Sequence, residues 1–244
     1  MISSNAEGSP IYYARIAGFG YLIVFLFGIF ANFFALEKII EPGDAATTAS
    51  NLADSELLFR IGIAGWIIVL VADAMIAWAL YVLLEPANKS LSLLAAWFRL
   101  VFVAIFAVTL LYLFVVLELT KGYNATVFDT GQVQAQMTLF LGGYDYGINI
   151  AFVFFGLHIS VLGYLVFKSD FIPKILGVLL MVASGGYLID SFASFLSSEY
   201  ADNDVWFLIF VAAPAIIAEL SLTVWLLFKG VNVELWKKRA FESA

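Results

Sequence analysis

The chain has 244 residues, 63% of them hydrophobic and 13% charged, with a formal charge of −7 and no cysteine. An average soluble domain is about a quarter charged, and nothing soluble of this length could hide so much apolar surface; the composition calls for a bilayer. The missing cysteine excludes disulfides, thiolate metal sites and a cysteine nucleophile, and an acidic chain without a basic patch excludes nucleic acid as a partner.

The N-terminus lacks the basic start, short apolar run and small-residue cleavage site of a signal peptide, so the first hydrophobic segment is expected to remain as a span. A helix needs about 20 apolar residues to cross the roughly 30 Å hydrocarbon core. Six segments reach that length: Tyr13–Leu36, Leu58–Leu84, Leu91–Leu119, Asp145–Phe167, Pro173–Ser197 and Val205–Phe228. They predict an all-α fold, a polytopic bundle of six transmembrane helices forming a single integral membrane domain over residues 1–244.

Between the first two spans lies an acidic loop, Glu37–Glu56, around a Pro42-Gly43 turn. Glu85–Ser90 is so short that the second and third spans must be antiparallel neighbours, and Lys168–Asp170 imposes the same on the fourth and fifth. Ahead of the fourth span, Phe128, Val133, Met137 and Phe140 recur at helical spacing among glutamines, which predicts a short helix lying on the outer surface. Asn124-Ala125-Thr126 on that side fits a glycosylation acceptor. Asp170 just before Pro173 reads as a helix start, with proline in the first turn.

Orientation follows from lysine and arginine. Arg15, Lys89, Lys168, Lys174, Lys229, Lys237, Lys238 and Arg239 fall on one side, and only Lys38, Arg60 and Lys121 on the other. The basic side is expected to face the cytoplasm, with both termini inside and the chain in the cell (inner) membrane. Tyr12, Tyr13 and Trp236 fit an inner aromatic belt; Tyr144, Tyr146, Tyr200 and Trp206 fit an outer one.

Charge within a membrane costs on the order of 3 kcal/mol per group on insertion scales, so each such residue calls for an explanation. Five stand out: Asp73, Arg99, His158, Asp190 and Glu219. Counted from the span midpoints, Asp73, His158 and Glu219 share one level roughly 3 Å inside the centre, and Arg99 lies roughly 6 Å further in, within reach of its side chain. Asp190 lies roughly 10 Å above that level, toward the outside. If the four lower residues meet, Arg99 holds one carboxylate, Asp73 or Glu219. The other must pair with protonated His158, take a cation or stay protonated.

These residues carry several readings. His158, the only histidine, is a structural hydrogen-bonding group, a proton or ligand carrier, or, with Asp73 and Glu219, a metal ligand set of one nitrogen and two carboxylates. No HExxH spacing supports the metal. Arg99 forms a structural ion pair or binds an anionic substrate. Asp190, one turn from Tyr187, lines an outer vestibule or pairs with Arg60 at the outer end of the second span. Pro214, five residues before Glu219, is expected to loosen the last helix. Gly156, Gly163 and Gly185-Gly186 read as close helix contacts. Gly20-Tyr21-Leu22 and Gly163-Tyr164-Leu165 hint at two inverted halves, a transporter habit.

Several runs carry a resemblance. Ala14 to Gly18, Leu58 to Gly62, Trp97 to Leu100, Phe155-Gly156-Leu157-His158, Ile172 to Gly177, Gly186 to Ser191, and Glu219 through Trp225 to Val231 are similar to a family of bacterial integral membrane proteins catalogued only as a domain of unknown function. The resemblance covers nearly the whole chain and implies a six-span inner-membrane protein. It brings no activity, cofactor or site residues with it.

Three functions stay open. One is binding or transport of a small solute, ion or proton in a polar mid-membrane cavity lined by Asp73, Arg99, His158 and Glu219. Six spans are few for a transporter, so a homo-oligomer is expected with it. The second is a non-catalytic subunit or sensor whose charges only specify packing. The third is an intramembrane metal-dependent hydrolase or lipid-modifying enzyme; no serine–histidine–acid pattern supports a triad.

Overall fold

The computed structural model describes residues 9–121, 128–196 and 208–242. The Asn124–Thr126 triplet and the belt residues Tyr200 and Trp206 lie outside the described residues. Among the described residues every regular element is helical: α1 (Pro10–Ile29), α2 (Ala45–Asp54), α3 (Glu56–Leu84), α4 (Lys89–Leu119), α5 (Thr130–Ser169), α6 (Lys174–Leu196), α7 (Ala213–Phe228) and α8 (Val233–Glu242). A π-helical stretch, Phe30–Leu36, prolongs α1, and another, Leu208–Ala212, leads into α7. Six helices are long and apolar enough to cross a membrane, so this is a multi-pass membrane protein in contact with lipid. Its pattern inverts that of a soluble core: Leu26, Val108 and Phe228 are 60%, 63% and 73% exposed, while Asp73, Arg99 and His158 are buried.

Two elements differ from the sequence reading. The acidic loop contains α2, which starts where Asp44 accepts hydrogen bonds from the Thr47 amide (2.9 Å) and hydroxyl (2.7 Å). These bonds satisfy helix-end donors and hold the Asp44 carboxyl below its ordinary value. Among the described residues the stripe expected to form a separate surface helix continues into the fourth span. Residues 130–169 form one 40-residue helix, about 60 Å long and so twice the hydrocarbon thickness. Reciprocal bonds between Asp129 and Gln132 cap its start, and no proline interrupts it. Met137, read as part of a surface stripe, is fully buried.

The chain forms two compact units. The first comprises Met1–Leu22, Ala72–Phe102 and Phe152–Ala244, and the second Ile23–Val71 and Val103–Ala151. In the second, small residues set the distance between α1 and α3: a Cβ on Gly62 would stand 2.8 Å from the Ala35 Cβ. Trp66 packs on Phe106 with centroids 4.9 Å apart. Arg60 pairs with Glu56 at 2.6 Å, one turn away on its own helix. Tyr144 is buried and does not join an aromatic belt, whereas Tyr146 is 62% exposed.

In the first unit α5 and α6 form a hairpin whose backbones touch at Gly163 and Gly177. The sequence placed a helix start at Asp170, but α6 begins at Lys174. Asp170 instead takes a left-handed turn conformation (φ 60°), which aspartate tolerates better than most residues. There it accepts from Arg239 at 2.7 Å and pairs with Lys174 at 3.1 Å. Those two bonds, Arg239's first, hold the Asp170 carboxyl below its usual range. Pro214 sits in the first turn of α7 and has no N–H to donate, and the loosening it predicts lies immediately upstream, in the π-helical Leu208–Ala212. The Phe210 carbonyl there lies so near Gly186 that a Cβ would stand 2.7 Å from it.

One end of this unit gathers several chain turns. Arg15 donates to the Phe228 carbonyl at 3.1 Å, the Asn232 amide to Phe171 at 3.0 Å, and the Trp236 indole to Leu83 at 2.8 Å. Of the basic residues that the sequence put on one side, Arg15 and Arg239 take part in these contacts and the one to Asp170, and Lys89 and Lys174 stand in the first turns of α4 and α6. Lys89 pairs with Glu85 at 2.7 Å, and Arg239 approaches Glu242 at 4.0 Å as well as Asp170.

Candidate functional site

Arg99 on α4 is completely buried, as is the Asp73 carboxylate on α3 to 2% exposure. Inside a bilayer neither charge can stand alone, and each neutralises the other. The guanidinium Nε donates to Asp73 Oδ1 at 3.0 Å, and Nη2 donates to the same oxygen. Nη1 donates to the Tyr21 hydroxyl and to His158 Nε2, both at 2.9 Å. Four of the five guanidinium N–H groups are thus engaged. Aromatic faces cover the rest, with the guanidinium carbon 4.8 Å from the Tyr21 ring centre and 5.6 Å from that of Phe155.

This geometry fixes the state of His158. A guanidinium only donates, so Nε2 facing Arg99 is the bare nitrogen. The hydrogen sits on Nδ1, which donates to the Ala95 carbonyl at 2.8 Å. The ring is neutral and clips α5 to α4 at two successive turns. The hub therefore joins α1, α3, α4 and α5, with one positive and one negative charge.

Glu219 does not enter it. Its Oε1 accepts from the Tyr187 hydroxyl at 2.8 Å, linking α7 to α6. Glu219 is 7% exposed and has no basic partner among the described residues. Its Oε2 has no hydrogen bond there either. The neighbouring Thr223 hydroxyl spends its proton on the Glu219 backbone carbonyl. Tyr187 is held by aromatic contacts, stacked on Phe152 with centroids 5.6 Å apart and meeting the edge of Phe155 at 5.2 Å. Phe155 touches both assemblies, meeting Arg99 and His158 on one side and Tyr187 on the other.

Of the five intramembrane residues singled out, Asp73, Arg99 and His158 meet. The choice of partner for Arg99 falls on Asp73. Asp190 lies one turn beyond Tyr187 on α6, with Oδ1 enclosed and unbonded among the described residues, as is the adjacent Ser191 hydroxyl. A metal held by His158, Asp73 and Glu219 finds no support in the donor set. Both His158 nitrogens and the bonded Asp73 oxygen are committed to protein groups, and no three ligating side chains converge among the described residues.

Tyr21, Phe152 and Phe155 were not among the site candidates read from the sequence, and Phe155 entered it only as part of the Phe155–His158 run. The one trace of Tyr21 was its place in the suspected repeat, where it matched Tyr164. The two differ: Tyr21 is fully buried on Arg99, whereas Tyr164 is 45% exposed, with Lys168 over its ring. The repeat is not reproduced in their surroundings.

A family model described as "Domain of unknown function (DUF4386)" matches residues 16–230. A protein of Archaeoglobus fulgidus described as "Uncharacterized protein" is 32% identical over 168 residues, covering 69% of this chain and 83% of that one. That relative is archaeal, so the similarity reaches beyond the bacterial setting implied by the sequence. No solved structure matches the chain.

Proposed function

We propose that this chain, which belongs to the family described as Domain of unknown function (DUF4386), binds and translocates a proton or small cation at Glu219 within the bilayer. The observation that carries this reading is one carboxylate without a salt bridge of its own among the described residues. Arg99 is committed to Asp73, and Glu219, more than nine-tenths buried, has only the neutral Tyr187 hydroxyl as a partner. A bare carboxylate in that setting costs several kcal/mol, roughly, and a proton or a cation removes the cost. Tyr187, which donates to it, holds the carboxylate in place without neutralising it. The π-helical and proline-containing entry to α7, about two turns from Glu219, gives that helix a place to change register.

With this function go a cell-membrane location, a basic end and both termini on the cytoplasmic side, and assembly as a homo-oligomer. With four of its five N–H groups engaged, Arg99 favours a purely structural reading for that group alone, in which the Asp73–Arg99 pair orders four helices and takes no part in transport.

Proteoliposomes carrying a pH, sodium or potassium gradient test the proposal. Wild type is expected to dissipate one of these gradients and Glu219→Gln to leave it at the rate of empty vesicles. Equal flux in the two proteins, or no flux of any of the three ions through wild type, would count against it.

A further inference from the structure

A second feature lies away from the buried carboxylates, on α8. This helix begins five residues after Phe228, where the last membrane-competent helix ends. The link turns sharply at Gly230 (φ 70°), and Asn232 Oδ1 caps the new helix by accepting from the amides of Glu234 (3.1 Å) and Leu235 (3.2 Å). So short a link keeps α8 at the level where a bilayer's headgroups begin.

Its roll is fixed from one side. Trp236 donates to the Leu83 carbonyl, and Arg239 reaches Asp170, so the face bearing these two packs over the chain turns. The opposite face is left to the surroundings. At 100° per residue Lys237, Lys238 and Phe241 fall within one sector of it. Both lysines are exposed, with no carboxylate partner among the described residues, and Phe241 is 86% exposed between them. Glu234 shares the sector and offsets one charge, but Lys229 stands at the start of the link and adds another positive charge.

A large aromatic between two free ammonium groups is poorly suited to bulk water. It suits an anionic lipid surface, where the ring enters the acyl boundary and the ammonium groups meet phosphates. We infer that α8 docks onto the anionic lipid leaflet at the basic end of the protein through Lys237, Lys238 and Phe241. The Arg239–Asp170 pair presents that face and does not itself contact lipid. This docking is independent of what Glu219 binds.

The test is hydrogen exchange of the backbone amides of residues 233–242 in the full chain, placed in nanodiscs of phosphatidylcholine alone or with phosphatidylglycerol added. Two lysines at an anionic surface predict a slowing on the order of tenfold in the anionic discs. Lys237→Gln with Lys238→Gln, both on exposed positions, should abolish the difference, and Phe241→Ala should reduce it. Molar salt should remove it in wild type. Equal exchange in the two lipids overturns the inference and leaves the face to a soluble partner. A slowing that survives the lysine replacements also overturns it.

Discussion

Arg99→Met will destabilise the folded chain by about 3–5 kcal/mol, because it strands the Asp73 carboxylate where neither water nor another cation can reach it. Asp73 is 2% exposed and receives bonds from two guanidinium nitrogens. The same change removes the donor to Tyr21 and to His158 Nε2, so two further buried acceptors lose their partner. Reversible unfolding in mixed micelles reads the loss. The companion Asp73→Asn change in the Arg99→Met background should recover much of it, since no charge is then left unpaired. A neutral Arg99→Met variant would mean that the pair contributes nothing, and the hub would then not be what orders these four helices.

The second large effect is expected at the α5–α6 hairpin. A Cβ on Gly177 would stand 2.6 Å from the Gly163 carbonyl oxygen and 2.6 Å from the Phe167 amide nitrogen. Both neighbours are backbone, so no side chain can rotate away and the helices must part. Gly177→Val should therefore cost about 3 kcal/mol or more, at or beyond the upper end for an overpacked site. Separating the hairpin would also move Tyr187 away from the α5 rings that hold it. Gly185 on the same helix has nothing within 4 Å of its Cβ position. Gly185→Ala should be neutral or slightly stabilising, because alanine is the better helix former. Thermal unfolding of the two variants side by side separates close packing from a general intolerance of larger residues. Equal losses in both would refute the argument.

Much of this was legible in the residues. Six apolar runs fix the helix count because a bilayer leaves the backbone few ways to satisfy itself. Asp73, Arg99 and His158 were found because charge is rare in such segments, and counting along the spans put them near one depth. Depth, however, says nothing about direction around the helix. Four groups at a similar height were read as one cluster, whereas the side chains divide into Arg99 with its three partners and Tyr187 with Glu219. Tyr21 and Phe155 were hidden by their type, since aromatic residues are everywhere in this chain and no periodicity separates one that covers a guanidinium from one that faces lipid. Glu56, one turn from Arg60 on the same helix, was overlooked as a partner for it. The surface helix was a misreading of amphipathic spacing where α5 simply continues.

Infrared difference spectroscopy of the protein in bilayers bears most directly on Glu219. A pH step, or addition of the cation that the flux assay identifies, is expected to change a buried carboxyl signal that is missing from Glu219→Gln and retained in Asp73→Asn. Superimposable difference spectra for wild type and Glu219→Gln would contradict the account, since the carboxylate without a cationic partner would then exchange neither proton nor cation.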